Sequence, residues 1–143
     1  MIKIFKATTV NQEILESVNF LLPQLSQSAK SIQIDQLNNI INSECTSLIF
    51  AKDEEKIIGM LSFVAYQIPT GKKAWVEDVV VHKSARGKGV GKLLMNFALE
   101  IADQVDAKSI DLTSRPSRET ANKLYQSMGY EIRETNVYRY GLN

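Results

Sequence analysis

Residues 79–92 read Val-Val-Val-His-Lys-Ser-Ala-Arg-Gly-Lys-Gly-Val-Gly-Lys, a β-branched run that passes through a basic, glycine-rich loop into the start of a helix. Glycines at three alternate positions let successive backbone N–H groups converge on one point. The helix that follows adds unpaired N–H groups and the positive end of its dipole. The stretch therefore predicts a phosphate-binding site, formed by Arg86, Gly87, Lys88, Gly89, Val90, Gly91 and Lys92.

Two common nucleotide-binding motifs do not fit this loop. A P-loop requires Gly, four residues and then Gly-Lys-Ser/Thr, but Arg86 stands at the first of these positions and Leu93 at the last. The dinucleotide motif requires a third glycine where Lys92 stands. The spacing therefore disfavours both classes of nucleotide-binding enzyme.

The apolar spacing on either side of the loop predicts an α/β layout in the order βααβββαβαβ(β). Gly59 lies inside a strand pattern, which indicates a bulge or a close approach of the backbone, and Pro23 is expected to bend or end the first helix. We expect one domain spanning residues 1–143. The patterns predict strands at 2–8, 46–52, 57–68, 74–82, 109–113 and 130–140, and helices that begin near Asn11, Ile34, Val90 and Ser117.

The composition excludes several classes of protein. A formal net charge of +1 disfavours a surface for nucleic acid or for an anionic membrane, so neither partner is expected. One cysteine and one histidine leave no disulfide framework and little to bind a metal, so no metal site is predicted. Charged residues within the first six positions do not suit a signal peptide, and the predicted location is cytoplasmic.

Two motifs together resemble the GCN5-related N-acetyltransferase (GNAT) superfamily. The Arg-Gly-x-Gly-x-Gly run after a hydrophobic strand is similar to its (Gln/Arg)-x-x-Gly-x-(Gly/Ala) loop, which grips the pyrophosphate of acetyl-coenzyme A. Residues 121–130, Ala-Asn-Lys-Leu-Tyr-Gln-Ser-Met-Gly-Tyr, are similar to its Ala-x-x-Leu-Tyr-x-x-x-Gly-Phe pattern. The resemblance implies a mixed, mostly antiparallel sheet of six to seven strands with about four helices, and acetyl-CoA as the co-substrate.

The resemblance also assigns roles at the thioester. It implies that the N–H of Val80 or Val81 bonds the developing oxyanion, and that Val79 and Val81 pair with the pantetheine amides. It places Tyr125 near the coenzyme sulfur as a general acid, a role that suits a phenol facing a thiolate of similar basicity.

Several further positions carry alternatives. Glu77 and Asp78 lie on opposite faces of the central strand; either accepts the proton of the amine, with Glu77 favoured, or both are exposed strand charges. Many relatives carry an Asn where Arg118 stands, so either Asn122 replaces that contact with the coenzyme, or Arg115 and Arg118 reach a coenzyme phosphate, or these arginines are solvated residues at the start of a helix. Cys45 has no accompanying histidine, which favours direct transfer over an acetyl-cysteine intermediate.

The predicted activity is transfer of an acetyl group from acetyl-CoA to a primary amine, carried by a small molecule or a peptide. The alternative is a non-catalytic module that holds acyl-CoA for regulation. Retention of both Glu77 and Tyr125 favours the enzyme. By analogy with the superfamily, a homodimer that uses the C-terminal strands is also expected.

Overall fold

The computed structural model of residues 1–143 contains five strands, four α-helices and one 3-10 turn at Lys83–Ala85. The chain falls into two units, Met1–Thr113 and Ser114–Asn143. The first unit holds every strand and three of the helices, and the second holds one helix. In chain order the elements are β1 (Ile2–Lys6), α1 (Gln12–Leu25), α2 (Ile34–Ile41), β2 (Thr46–Asp53), β3 (Lys56–Ile68), β4 (Gly71–Val81), α3 (Val90–Gln104), β5 (Ile110–Asp111) and α4 (Glu119–Ser127).

The five strands form one sheet in the order β1-β2-β3-β4-β5. The first three pairings are antiparallel and the pairing of β4 with β5 is parallel. The predicted mixed, mostly antiparallel sheet is therefore confirmed. The parallel pairing is short, because only Ala74 and Trp75 of β4 find partners in β5.

The predicted number of strands, six to seven, is wrong, because the sheet has five. The difference lies at the C-terminus, where the pattern predicts extended strands over residues 130–140. No strand forms beyond Asp111, and every residue from 131 to 143 is exposed. An alternating pattern supplies side chains for a strand, but a strand also needs a neighbour for its backbone N–H and C=O groups. The alternating side chains of residues 130–140 do not by themselves provide such a neighbour.

The helices follow the predicted periodicity. In α1 the side chain of Asn11 accepts a hydrogen bond from the N–H of Ile14 at 2.9 Å, as expected of an N-cap. This helix runs on for two residues past Pro23 instead of ending there. In α3 the buried face consists of Val90, Leu94, Met95, Ala98 and Ala102, which recur at helical spacing.

Gly59 shows why α3 lies so close to the sheet. A Cβ atom at this position would lie 3.2 Å from Leu94, 3.2 Å from the carbonyl oxygen of Val80 and 3.3 Å from Val90. The predicted close approach is confirmed, since any side chain here would press the first turn of α3 away from β3.

Candidate functional site

A β-bulge interrupts β4 where the resemblance places the thioester. Met60 pairs with Val80 and Ser62 pairs with Glu77, so the single residue between them on β3 faces both Asp78 and Val79. Asp78 has a φ of +51°, a left-handed conformation that Asp tolerates better than most residues. The extra residue reverses which backbone groups of β4 point toward β3 beyond this point.

The hydrogen-bond phase after the bulge decides which N–H groups face outward. The N–H of His82 donates to Ile58 on β3 at 2.7 Å, and alternation along the ladder aims the N–H of Val80 toward β3 as well. The backbone N–H and C=O of Val81 therefore point toward the opposite edge of β4. Its carbonyl oxygen confirms this direction by accepting a hydrogen bond from Nε of Arg86 at 3.3 Å.

That opposite edge is open. Because β5 pairs with β4 only at Ala74 and Trp75, residues 76–81 have no strand partner on this side. Of the two candidate oxyanion donors, Val80 and Val81, the geometry favours Val81. Val79 lies in the bulge and is half-buried. The open edge can bond the amide groups of an extended ligand in the way that a strand bonds its neighbour.

The loop after β4 has the backbone that its glycines predict. Gly87 and Gly89 have φ values of +82° and +79°, and a Cβ at either position would meet nothing within 4 Å. Gly89 is the N-cap of α3 and offers no side chain to the first N–H groups of the helix. Gly91 lies within the first turn of α3, next to the buried Val90. The helix therefore presents free donors to an approaching anion.

Three cations surround these donors. The side chains of Arg86, Lys88 and Lys92 are exposed, and none of them takes part in a salt bridge. Unpaired cations beside a helix N-terminus suit a doubly charged phosphate group. The residues of the loop thus fit the pyrophosphate of a coenzyme.

His82 anchors the start of this loop, a role that no sequence motif indicates. Its side chain is 9% exposed and stacks on Phe20 of α1, with ring centroids 4.8 Å apart. Nδ1 accepts a hydrogen bond from the N–H of Ser84 at 3.1 Å and lies 2.7 Å from its hydroxyl oxygen. Burial lowers the pKa of His82, and the positive charges of Lys56, Lys83 and Arg86 lower it further.

A second contact ties the loop to α1. The backbone N–H of Lys83 donates to Oε1 of Gln24 at 2.8 Å. The sequence pattern assigned α1 only an apolar face, so neither Gln24 nor Phe20 had a visible signal. Both residues contact the start of the loop because the end of β4 lies beside α1.

Glu77 and Asp78 are both exposed, and neither makes a salt bridge. Glu77 lies on the same face of β4 as Trp75, two residues earlier, because side chains alternate along a strand. Nε1 of Trp75 donates to the hydroxyl of Tyr66 on β3 at 3.0 Å. One face of the β3–β4 hairpin therefore presents two hydrogen-bonded aromatic side chains and a carboxylate.

Tyr125 lies in the second unit, on α4, and its side chain is 8% exposed. Burial raises the pKa of its hydroxyl, and the charge of Arg118 lowers it by a smaller amount. The helix ends in a Schellman motif, in which Gly129 has a φ of +99° and the N–H of Tyr130 donates to the carbonyl of Tyr125 at 3.0 Å. The rings of Tyr125 and Tyr130 meet edge to face at 6.1 Å. Tyr125 is thus a fixed, protonated phenol at neutral pH.

Asn122 also lies on α4, where it holds the start of the helix. Its Nδ2 donates to the backbone carbonyls of Arg115 and Arg118, both at 2.9 Å. These bonds use both amide hydrogens, so a coenzyme contact from this side chain would fall to Oδ1.

The chain has neither a cluster of metal-ligating side chains nor a membrane-spanning helix. No group of three or more His, Cys, Asp or Glu side chains is arranged to hold a metal ion. No helix combines the length and the apolar character needed to cross a membrane.

Comparison with known proteins gives related sequences and folds. A family model described as "Acetyltransferase (GNAT) family" matches residues 12–130. The uncharacterized N-acetyltransferase YhdJ of Bacillus subtilis (strain 168) is 26% identical over 137 residues, which cover 94% of this chain and 95% of that protein. The L-2,4-diaminobutyric acid acetyltransferase of Vibrio cholerae serotype O1 is 29% identical over 87 residues, 60% of this chain and 49% of that protein.

A solved structure shares the fold. It is that of AAC(6')-Iy in complex with the bisubstrate analogue CoA-S-monomethyl-acetylneamine. The TM-score is 0.83 at 17% sequence identity, and the superposition covers 100% of this chain and 99% of the other.

Proposed function

Because this chain belongs to the GNAT acetyltransferase family, we propose that it moves an acetyl group from acetyl-CoA to a primary amine by direct attack in a ternary complex. One observation carries the proposal: the open edge of β4 runs directly into a loop of left-handed glycines and unpaired cations. A strand edge suits the amides of a pantetheine arm, and the loop suits the pyrophosphate at the end of that arm.

The coenzyme is the co-substrate, and it supplies the thioester whose acetyl group is transferred. Residues 86–92 hold its pyrophosphate through the backbone N–H groups and the three cations of the loop. Val79 and Val81 bond the pantetheine amides at the edge of β4. Oδ1 of Asn122 is an additional coenzyme contact in this proposal.

The transfer requires two proton movements. The amine nitrogen attacks the acetyl carbon, forming a C–N bond, and the electron pair of the breaking C–S bond goes to sulfur. The carboxylate of Glu77 or Asp78, with Glu77 favoured, takes the proton released by nitrogen, and Tyr125 donates a proton to the thiolate. The N–H of Val81 bonds the negative charge that develops on the carbonyl oxygen.

The acceptor is a small molecule or a peptide that carries a primary amine. One similar protein is named for a small amine, diaminobutyric acid, which supports a small acceptor. The exposed Glu77 beside Trp75 and Tyr66 supports an acceptor that is a cation before it loses its proton, since carboxylates and aromatic faces both attract cations. We also propose that the enzyme acts in the cytoplasm and as a homodimer.

The experiment that tests the activity measures release of free CoA thiol from acetyl-CoA against a broad panel of amines, with calorimetry of acetyl-CoA binding on the same preparation. We expect binding without an amine and thiol release with at least one small amine. Binding without release across the panel would favour the alternative, a non-catalytic acyl-CoA module. Absence of binding would refute both.

A further inference from the structure

Two side chains of α1 contact the chain just after β4, although α1 does not need them to pack on the sheet. The buried residues of this helix are Ile14, Val18 and Leu21. Phe20 is 46% exposed, and Gln24 is half-buried. Because residues four apart lie on one side of a helix, Phe20 and Gln24 act on the same neighbouring segment.

The aromatic ring of Phe20 is fixed by two neighbours. It stacks on His82, with ring centroids 4.8 Å apart and planes 9° from parallel. Nζ of Lys56, at the start of β3, lies 5.2 Å from the centroid of the Phe20 ring, which is within cation–π distance. A large apolar side chain that remains nearly half exposed gains less from burial than a core residue does. The contact with His82 gives Phe20 a role beyond packing.

Gln24 acts on the main chain of the anion loop, residues 82–89. Its Oε1 accepts a hydrogen bond from the backbone N–H of Lys83 at 2.8 Å. The N–H of His82 donates to the carbonyl of Ile58 at 2.7 Å, and the N–H of Ala85 donates to the carbonyl of His82 at 2.8 Å. Residues 82–85 are thus held by β3, by α1 and by their own turn.

The far end of the anion loop is fixed as well, because Val90 at the start of α3 is 1% exposed. Residues 86–89 between the two fixed ends are exposed and include Gly87 and Gly89, both with positive φ. Glycine has more backbone conformations to lose than any other residue. If the first end were released, these glycines would sample conformations in which their N–H groups no longer converge on an anion.

We propose that Gln24 and Phe20 are positioning residues for the coenzyme, acting through Lys83 and His82 to hold the anion loop in the conformation that receives the pyrophosphate. The inference rests on the proposed binding of acetyl-CoA at this loop. Gln24 and Lys83 are 59 positions apart, so the loop is supported by a part of the chain that its own motif does not include. The two side chains are expected to affect coenzyme affinity and the KM for acetyl-CoA, and to leave kcat unchanged.

The first test measures acetyl-CoA binding by calorimetry. Gln24→Met keeps the length of the side chain but removes the acceptor, and the lost hydrogen bond should weaken binding by roughly two- to tenfold. The matched control is Gln12→Met, at the other end of the same helix, which removes a side-chain hydrogen bond to Glu16 and should leave the affinity unchanged. Phe20→Leu, which removes the stack on His82, should weaken binding in the same direction as Gln24→Met. Thermal melts show whether each variant is folded.

The second test observes the loop without a ligand. The chain has seven glycines, so selective ¹⁵N labelling of glycine gives a small set of amide signals that can be assigned one by one. In Gln24→Met, backbone relaxation should report greater motion at Gly87 and Gly89, on the nanosecond or the millisecond timescale. Gly59 and Gly71 should keep the relaxation of the unsubstituted chain. Increased motion at all four glycines would indicate general loosening of the fold and contradict a positioning role.

Two further results would overturn the proposal. One is an acetyl-CoA affinity in Gln24→Met and Phe20→Leu equal to that of the unsubstituted chain, and the other is unchanged relaxation at Gly87 and Gly89. Either result leaves the proposed function standing if the unsubstituted chain binds acetyl-CoA. Failure of the unsubstituted chain to bind acetyl-CoA would refute the proposed function and this inference together.

Discussion

The segment from β4 to the start of α3 and the segment 130–143 are both rich in strand-forming residues, yet only the first forms a strand. β4 pairs with β3 at nine positions from Gly71 to Val81. Residues 131–143 are exposed and form no helix or strand. An alternating pattern therefore specifies which side chains share a face. A strand forms only where a neighbouring strand hydrogen-bonds its backbone N–H and C=O groups.

At the open edge of β4 the unpaired backbone groups lie beside a bulge and a cationic loop, which suits a ligand. The C-terminal segment carries strand-forming side chains without forming a strand. The following substitutions test the β4–α3 segment and the second unit.

Tyr125→Phe tests whether the second unit supplies a catalytic residue. Loss of a general acid is expected to reduce turnover by roughly 10²–10⁴-fold while acetyl-CoA affinity stays nearly unchanged, because only the hydroxyl is removed. Steady-state kinetics and calorimetry measure the two quantities. Unchanged turnover would remove Tyr125 from the mechanism.

Glu77→Gln and Asp78→Asn test which of the two carboxylates at the bulge is the general base. Glu77→Gln should lower turnover by about 10²-fold, the lower end for a lost general base. Asp78→Asn should cost less than about tenfold, because Asn also accepts the left-handed φ of this position and keeps the bulge intact. The reverse ranking in amine-dependent kinetics would assign the base to Asp78.

Gly89→Val tests the anion loop through its backbone. The left-handed φ of +79° costs a residue with a Cβ about 1–2 kcal/mol, which corresponds to about tenfold or more in acetyl-CoA affinity if binding must restore that conformation. The space around the new Cβ is open, so the substitution should not unfold the chain. Gly71→Ala is the matched control: it is also strained, with a φ of +133°, but lies in the β3–β4 turn. Equal losses of affinity in the two variants would contradict the loop assignment.

His82→Asn tests the anchor at the start of that loop. The folded-state pKa lies below the ordinary 6.5, so the folded chain binds fewer protons than the unfolded chain in this range. Stability should therefore be full above about pH 6.5 and fall as the pH falls from there toward the folded pKa. Asn keeps an acceptor for the N–H of Ser84, and its variant should lose this pH dependence. Denaturant midpoints at about pH 7.5 and pH 5.5 measure it. Because the chain has a single histidine, an unchanged slope would exclude His82 as its source.

Asp106→Gly, at the C-terminal end of α3, has the smallest expected effect, which is on the free energy of unfolding. Asp106 has a φ of +58°, and the N–H of Ala107 donates to the carbonyl of Ala102 at 2.9 Å in a Schellman motif. Glycine suits this position better, so we expect a gain of about 0.5 kcal/mol in the free energy of unfolding and no change in activity. Asp103→Gly, inside the same helix, should instead lose about 0.5 kcal/mol. Thermal melts compare the pair, and stabilisation by both would contradict the cap.

Part of this architecture can be predicted from local sequence. Helix α3, its glycine N-cap and the C′ glycine of α4 follow from side-chain periodicity and from residues that alone adopt positive φ easily. The bulge at Asp78 had no such signal, because it arises from how β4 meets β3. The burial of His82 had no local signal either, because it results from the sheet bringing His82 against Phe20.

By itself, the sequence determined the backbone of the glycine-rich loop, the amphipathic helices and the order of elements as far as α4, since each depends on contacts between residues close in the chain. Only the tertiary structure decided that the sheet stops at five strands, that the edge of β4 beyond Trp75 is open, and that Val81 rather than Val80 faces it. Strand pairing and register join residues far apart in sequence, and a single inserted residue such as that at Asp78 reverses which backbone groups face a ligand.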